Sequence, residues 1–221
     1  MCGRFTLFLD AETLKEDFGL VSVPVDYTPR FNVAPSTPLL AVMDPAQRVA
    51  EWLRWGLIPS WAKDPAIGNR LINARSETLL EKPSFRNAAQ RRRCLILANG
   101  FYEWQRGAGK TSSTPFYFQR KDQKPVAFAG LWEFWRSPEG EDLRTCTIIT
   151  CAANAVVAPV HERMPVMLSA DTCYDWIQPG SVDKLIPMLS PFAPTLMEAF
   201  PVSRSVNAPG YEGPELIRPV T

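Results

Sequence analysis

The chain of 221 residues has a single histidine, His161, so no His-rich metal site is available to it. Five cysteines (Cys2, Cys94, Cys146, Cys151, Cys173) are scattered along it without one C-x-x-C pair. An odd count at such spacings excludes a disulfide framework and a zinc ribbon. No apolar run approaches the ~18 residues needed to span a bilayer, and the N-terminus lacks a signal-peptide pattern. The expected compartment is therefore the cytoplasm, or the nucleus of a eukaryote. Net charge is only +1, so there is no global basic field of the kind that advertises nucleic-acid binding. Within that near-neutral balance the cations are lopsided, with 17 Arg against 7 Lys. Arg carries a planar fork suited to carboxylate and phosphate, so the excess points towards anion recognition.

Hydrophobic content of 46% with 21% charged residues belongs to an ordinary globular chain. Asp10 and Gly19 bracket a short amphipathic run and predict a helix between them. Four prolines between residues 21 and 38 require extended or looped backbone there. Short strands are expected over Leu39–Met43 and Ala50–Trp55, and a helix broken at Pro83 over Ser76–Arg92. The middle is β-rich, with Cys94–Ala98, Phe101–Arg106, Thr114–Arg120, Val126–Trp135 and Leu143–Cys151 separated by turn residues. Such spacings favour antiparallel hairpins over βαβ crossovers. Short helices are expected at Ala153–Val160, Ala170–Ile177 and Val182–Leu189, then an irregular tail from Pro194. The reading is one α+β domain over residues 1–221, a curled, mainly antiparallel, barrel-like sheet with several short helices.

Three motif fragments fail on context. Gly109-Lys110-Thr111 resembles the end of a P-loop, but Trp104 holds the first glycine position, so a hairpin tip is expected. Ser60-Trp61-Ala62-Lys63 fits S-x-x-K without its helix or partner motifs. Arg91-Arg92-Arg93 follows a helix and reads as a solvated C-terminus favoured by the helix dipole.

The start, Met1-Cys2-Gly3-Arg4-Phe5, is reactive in principle. Removal of Met1 would leave a cysteine bearing an α-amine titrating near ~8 and a thiol near ~8.5. Such a 1,2-aminothiol condenses with an aldehyde and closes a thiazolidine, or attacks a carbonyl with the amine as base. Taken alone, Met-Cys-Gly reads as an ordinary small buried thiol, and only the rest of the chain lifts the reactive reading above it. Four further stretches, Arg30–Pro35, Leu71–Thr78, Ala98–Trp104 and Val160–Pro165, are polar or aromatic beyond what packing requires. Asn73 and Arg75, two apart, would share one face of an extended segment. Glu103, between Tyr102 and Trp104, is either an edge-strand carboxylate or a desolvated one with a raised pKa suited to proton transfer. His161 is either structural or an acid–base group.

The motifs M-C-G-R-F, R-F-N-V-A-P, W-G-L-I-P-S-W, N-A-R-S-E-T, N-G-F-Y-E-W and H-E-R-M-P occur in that order. Together they resemble the SRAP family, the SOS-response-associated peptidases that process abasic sites. The likeness runs from Met1 to about Arg218. It implies that Cys2 bonds to the ring-opened aldehyde of an abasic site in single-stranded DNA as a thiazolidine, shielding the lesion. On matching positions Asn73 orients the sugar, Glu103 manages protons, and His161 assists as acid or base. Arg75 and Arg163 match phosphate-contacting positions, with Arg4 a helper. Pro35 and Trp61 would support flanking nucleotides or block a strand path, and Trp104 joins this DNA-contacting set. Ser84-Phe85 falls in the region of the wedge between bases. A monomer without metal or cofactor is expected, a cytoplasmic protein that meets the nucleoid on DNA. The family's peptidase name implies autoproteolytic removal of residues ahead of the cysteine, although with only Met1 there ordinary Met removal would serve, and the imine chemistry allows an associated lyase activity. Two rival readings are a glutamine amidotransferase of the N-terminal cysteine class and a non-catalytic single-strand DNA sensor.

Overall fold

The computed structural model describes residues 2–107 and 113–220. In chain order the elements are β1 (Arg4–Leu7), α1 (Ala11–Phe18), β2 (Arg30–Val33), β3 (Pro38–Val42), β4 (Ala50–Trp55), β5 (Asn73–Arg75), α2 (Arg86–Arg91), β6 (Arg93–Ala98) and β7 (Gly100–Arg106). They continue with β8 (Ser113–Arg120), β9 (Val126–Arg136), β10 (Asp142–Ala152), β11 (Arg163–Pro165), β12 (Met167–Ser169), α3 (Cys173–Ile177) and β13 (Met197–Pro201).

Strands β10, β4, β3, β6 and β9 pair in sequence, and β9 pairs back onto β10, closing a five-stranded barrel. The fold class is therefore the expected one, a mainly antiparallel barrel with few, short helices. A second sheet, ordered β13-β8-β7-β1-β2, lies beside it. Phe5 of β1 joins the two, meeting Trp55 and Phe128 edge-to-face at 5.4 and 5.7 Å. Apolar faces of both sheets thus share one core, and β1 is fixed against the barrel by aromatic packing.

The pairing is less purely antiparallel than the hairpin spacings suggest. β10 runs parallel to β4 at Thr145–Cys146 and then parallel to β5 at Ile148–Thr150. Its other edge also changes partner, from β9 as far as Ile148 to β11 from Thr150. Where β9 and β10 part, residues 163–169 enter the gap. The chain runs antiparallel to β10 as β11 and antiparallel to β9 as β12. Its bend is Val166, which donates to Ile149 O at 2.9 Å and accepts from Ala129 N at 3.0 Å. This wedge carries Arg163 on to the end of β10.

Helix α1 forms as its caps dictate, with Asp10 accepting from Thr13 N and Gly19 left-handed at φ +61. Several expected helices shrink. Ser76–Arg92 yields only a 3-10 turn at Ser76–Thr78 and α2 beyond Pro83. Ala153–Val160 is a run of turns, because Asn154 Oδ1 takes the N–H groups of Val156 and Val157 and competes with helix formation. Val182–Leu189 makes two 3-10 turns, Val182–Lys184 and Ile186–Met188, parted at Leu185. Ala170–Ile177 is helical only from Cys173. The tail is not wholly irregular, since β13 adds to the open edge of β8. The Gly109–Thr111 stretch lies outside the described residues.

The arginine triplet also differs from a solvated terminus. Arg93 is buried, and its guanidinium donates to the carbonyls of Ala89, Gln90, Trp176 and Gln178 at 2.7–2.9 Å. It closes the C-terminal ends of α2 and α3 together, and Arg92 pairs with buried Glu133 at 2.9 Å.

Gly100 begins β7 where no side chain fits. A Cβ there would lie 2.4 Å from Phe118 O and 2.6 Å from Tyr117 Oη. Gly100→Ala is expected to cost about 3 kcal/mol through this overpacking, and to lower Tm by roughly 6–12 °C at this chain length. A calorimetric scan of the variant checks it.

Candidate active site

The register of β1 on β7 places Arg4 opposite Tyr102 and Phe5 opposite Phe101. The start of the chain is thereby laid along the strand that carries Glu103. Cys2 is fully buried, its Sγ 3.9 Å from Arg4 O. Burial, and then the negative charge of Glu103, push its thiol far above the ordinary range. Cys2 therefore holds its proton at neutral pH.

Glu103 is itself only 3% exposed. Burial raises its carboxyl above the ordinary range, and the positive form of His161 works against that rise. This settles the sequence alternatives for the residue: it is a desolvated carboxyl inside the molecule, not an edge-strand group facing water. His161 stands just before β11, where Arg163 N donates to its Nδ1 at 3.0 Å. Beside it a cleft of about 400 Å³ opens between His161, Val160 and Pro159 on one wall and Trp104 and Arg106 on the other.

Arg163 reaches across β10. It donates to both Glu77 carboxylate oxygens at 2.5 and 2.9 Å and to Thr150 O at 2.7 Å. Thr150 is also the register partner of Arg75 on β5. In β5, Ala74 is buried while Asn73 and Arg75 project to the opposite side, and Arg75 is exposed. The Asn73 side-chain N–H donates to Ile72 O at 3.0 Å. Its Oδ1 is buried and meets no donor among the described residues.

Cys2, Glu103, His161, Arg163 and the Asn73–Arg75 strand thus form one continuous succession of interactions. The remaining candidates are placed differently. Arg4 is drawn inward, donating to Asn32 Oδ1 and Val206 O, each at 2.7 Å. Trp104 is half-buried, its indole N–H held by Asn207 Oδ1 at 2.7 Å. Both therefore tie the tail to the site-bearing sheet. Pro35 turns the chain between β2 and β3, and Trp61 is 58% exposed in the loop after β4. Phe85 packs into the core, which removes it as a wedge between bases.

Two important residues have no role in the sequence reading. Asn32 is fully buried and donates to the carbonyls of Val206, Ala208 and Tyr211. Glu77 is the bidentate partner of Arg163. Both sit inside the quoted motifs, R-F-N-V-A-P and N-A-R-S-E-T, which was the available signal. Among the described residues no group of His, Cys, Asp and Glu could hold a metal ion. No helix among them is long and apolar enough to cross a membrane.

The chain is 46% identical over 222 residues to the abasic site processing protein YoqW of Bacillus subtilis, covering 98% of this chain and 99% of that one. It is 33% identical over 226 residues to the abasic site processing protein HMCES of Gallus gallus, covering 88% of this chain and 67% of the relative. A crystal structure of a Bacteroides thetaiotaomicron protein shares the fold, with TM-score 0.90, 24% identity and full coverage of both chains. Another, from Bordetella bronchiseptica, gives TM-score 0.77 at 26% identity over 91% of this chain and 100% of that one. The model of the SOS response associated peptidase family, SRAP, matches residues 1–209, and the chain belongs to that family.

Proposed function

We propose that this protein processes abasic sites by bonding covalently to them in single-stranded DNA. The observation that carries this reading is a buried position-two thiol beside a buried carboxyl that in turn feels the sole histidine. Its curated relatives bear the name abasic site processing protein.

Met1 leaves first, by ordinary processing or by the autopeptidase activity that the family name suggests, and the α-amine of Cys2 is freed. That amine, titrating near ~8 when unperturbed, attacks the ring-opened aldehyde. Water leaves and an imine forms. The Cys2 thiol then adds across the C=N bond, sulfur to carbon and its proton to nitrogen, closing the thiazolidine without any redox change. Glu103 carries protons in ring opening and in the loss of water, with His161 exchanging them from its far side. Asn73 Oδ1 accepts from a sugar hydroxyl, and Arg75 grips a flanking phosphate. Trp61 offers an exposed face for a base, a contact of ~1–3 kcal/mol. An imine that loses its β-phosphate before the sulfur closes would give lyase activity.

The test is a denaturing gel of Met-free protein incubated with single-stranded DNA holding one abasic site. A heat-stable shifted band is expected with that strand and none with intact DNA. Absence of the band ends the reading.

A further inference from the structure

Both terminal nitrogens of the Arg163 guanidinium are already engaged inside the molecule. Its two terminal nitrogens meet the two Glu77 oxygens at 2.5 and 2.9 Å, and Nη2 also reaches Thr150 O at 2.7 Å. The remaining donor, Nε, is buried and has no acceptor among the described residues. Exposure across the pair is unequal. The Arg163 side chain is 11% exposed and that of Glu77 is 51%. A phosphodiester approaching from solvent therefore meets the carboxylate before it meets the guanidinium. The fork that would grip two phosphate oxygens is the fork that already grips Glu77.

We propose that Glu77 is an internal counter-anion for Arg163, occupying its fork until a DNA backbone phosphate displaces it. The inference rests on the DNA-binding reading above and assigns Glu77 the role of limiting which anions reach Arg163. Displacement exchanges one anion for another on the same donors, so the buried guanidinium is never left without a partner. The half-exposed carboxylate moves into water, where an ion pair of this kind is weak and screened. Glu77 sits in a 3-10 turn directly after β5, two residues from exposed Arg75. A strand drawn in by Arg75 thus arrives beside the anion it must replace. Only a ligand that offers an anion at both positions engages the pair. A singly charged small molecule gains Arg75 alone.

A double-mutant cycle tests this, using fluorescence anisotropy of a labelled intact single-stranded oligonucleotide at 0.15 M salt, where distant exposed charges are screened. Intact DNA keeps the covalent step out of the measurement. Glu77→Gln is expected to tighten binding about five-fold, because the neutral amide releases the fork. Arg163→Ala is expected to weaken binding about ten-fold, and adding Glu77→Gln to it should change affinity less than two-fold. If Arg163→Ala lowers Tm, Arg163→Lys takes its place, keeping the charge and losing the fork. Weaker or unchanged binding by Glu77→Gln overturns the proposal, since Glu77 would then be holding Arg163 in position. An equal gain in the absence of Arg163 also overturns it, because Glu77 would be repelling DNA directly. Equal binding by wild type and Arg163→Ala removes Arg163 as a phosphate ligand and the inference with it. Loss of the crosslink with this cycle intact sinks the covalent reading only, and no DNA binding by any of the four proteins sinks both.

Discussion

Replacing Cys2 by alanine is expected to abolish the heat-stable DNA adduct while leaving a weaker, reducible one. The variant keeps an α-amine at position two, so it can still form an imine with the aldehyde. It has no sulfur to add across the C=N bond, and an imine hydrolyses on heating. Borohydride added during the reaction should therefore trap a band with Cys2→Ala that is absent from the same sample heated without it. The two outcomes separate the amine's contribution from the thiol's. Folding is a minor concern. Removing one buried sulfur costs roughly 1 kcal/mol, a fall of about 2–4 °C in Tm. A heat-stable band of wild-type intensity from the alanine variant would show that sulfur is not the bonding atom. The raised pKa of the thiol fits the order of events. A protonated sulfur is a poor first nucleophile, which supports the proposed order of amine first and sulfur second.

Glu103→Gln is expected to slow crosslinking by about 100-fold, the lower range for loss of a positioned acid–base group. It should at the same time make the protein more stable at neutral pH. The carboxyl's folded-state pKa lies above its unfolded value because burial disfavours the charge. The protonated form is thus the one that favours folding. That contribution is fully present below the ordinary glutamate range and is lost as pH rises through the raised folded value. Gln is isosteric and neutral, so it keeps the contribution at every pH. Thermal melts at pH 4 and pH 8 should show the variant gaining on wild type only at the higher value. Equal melting curves at both would mean that Glu103 ionises freely, and its proton-transfer role would lose its physical basis. A site that is slower when made more stable is the usual mark of a strained functional group.

Much of the fold was legible from local chemistry. Asp10 and Gly19 set both ends of α1, and successive apolar, β-branched runs between Cys94 and Cys151 marked three of the five barrel strands, β6, β9 and β10. Expectation and structure part where a side chain or a distant edge outcompetes local propensity. Asn154 takes backbone donors that a helix would have used, and the open edge of β8 recruits Met197–Pro201 from a segment rich in proline. Arg93 reads as one more surface cation, because nothing local says that four carbonyls from two helix ends converge on it.

The sequence by itself determined the chemistry of this protein: a cysteine at position two, one histidine, a glutamate between aromatics, and an excess of arginine. Those are properties of residue type and order, which no fold alters. The tertiary structure decided which of them act together. Glu103 becomes a desolvated carboxyl because the fold buries it on β7, the strand along which β1 lays the start of the chain. Arg163 and Arg75 come to the two edges of one stretch of β10 because that strand changes both of its partners midway along its length. The same strand exchange sets Glu77 in the fork of Arg163, although 86 residues of chain separate them. Long-range pairing of that kind depends on how two sheets share one core, and it leaves no periodic trace in the chain.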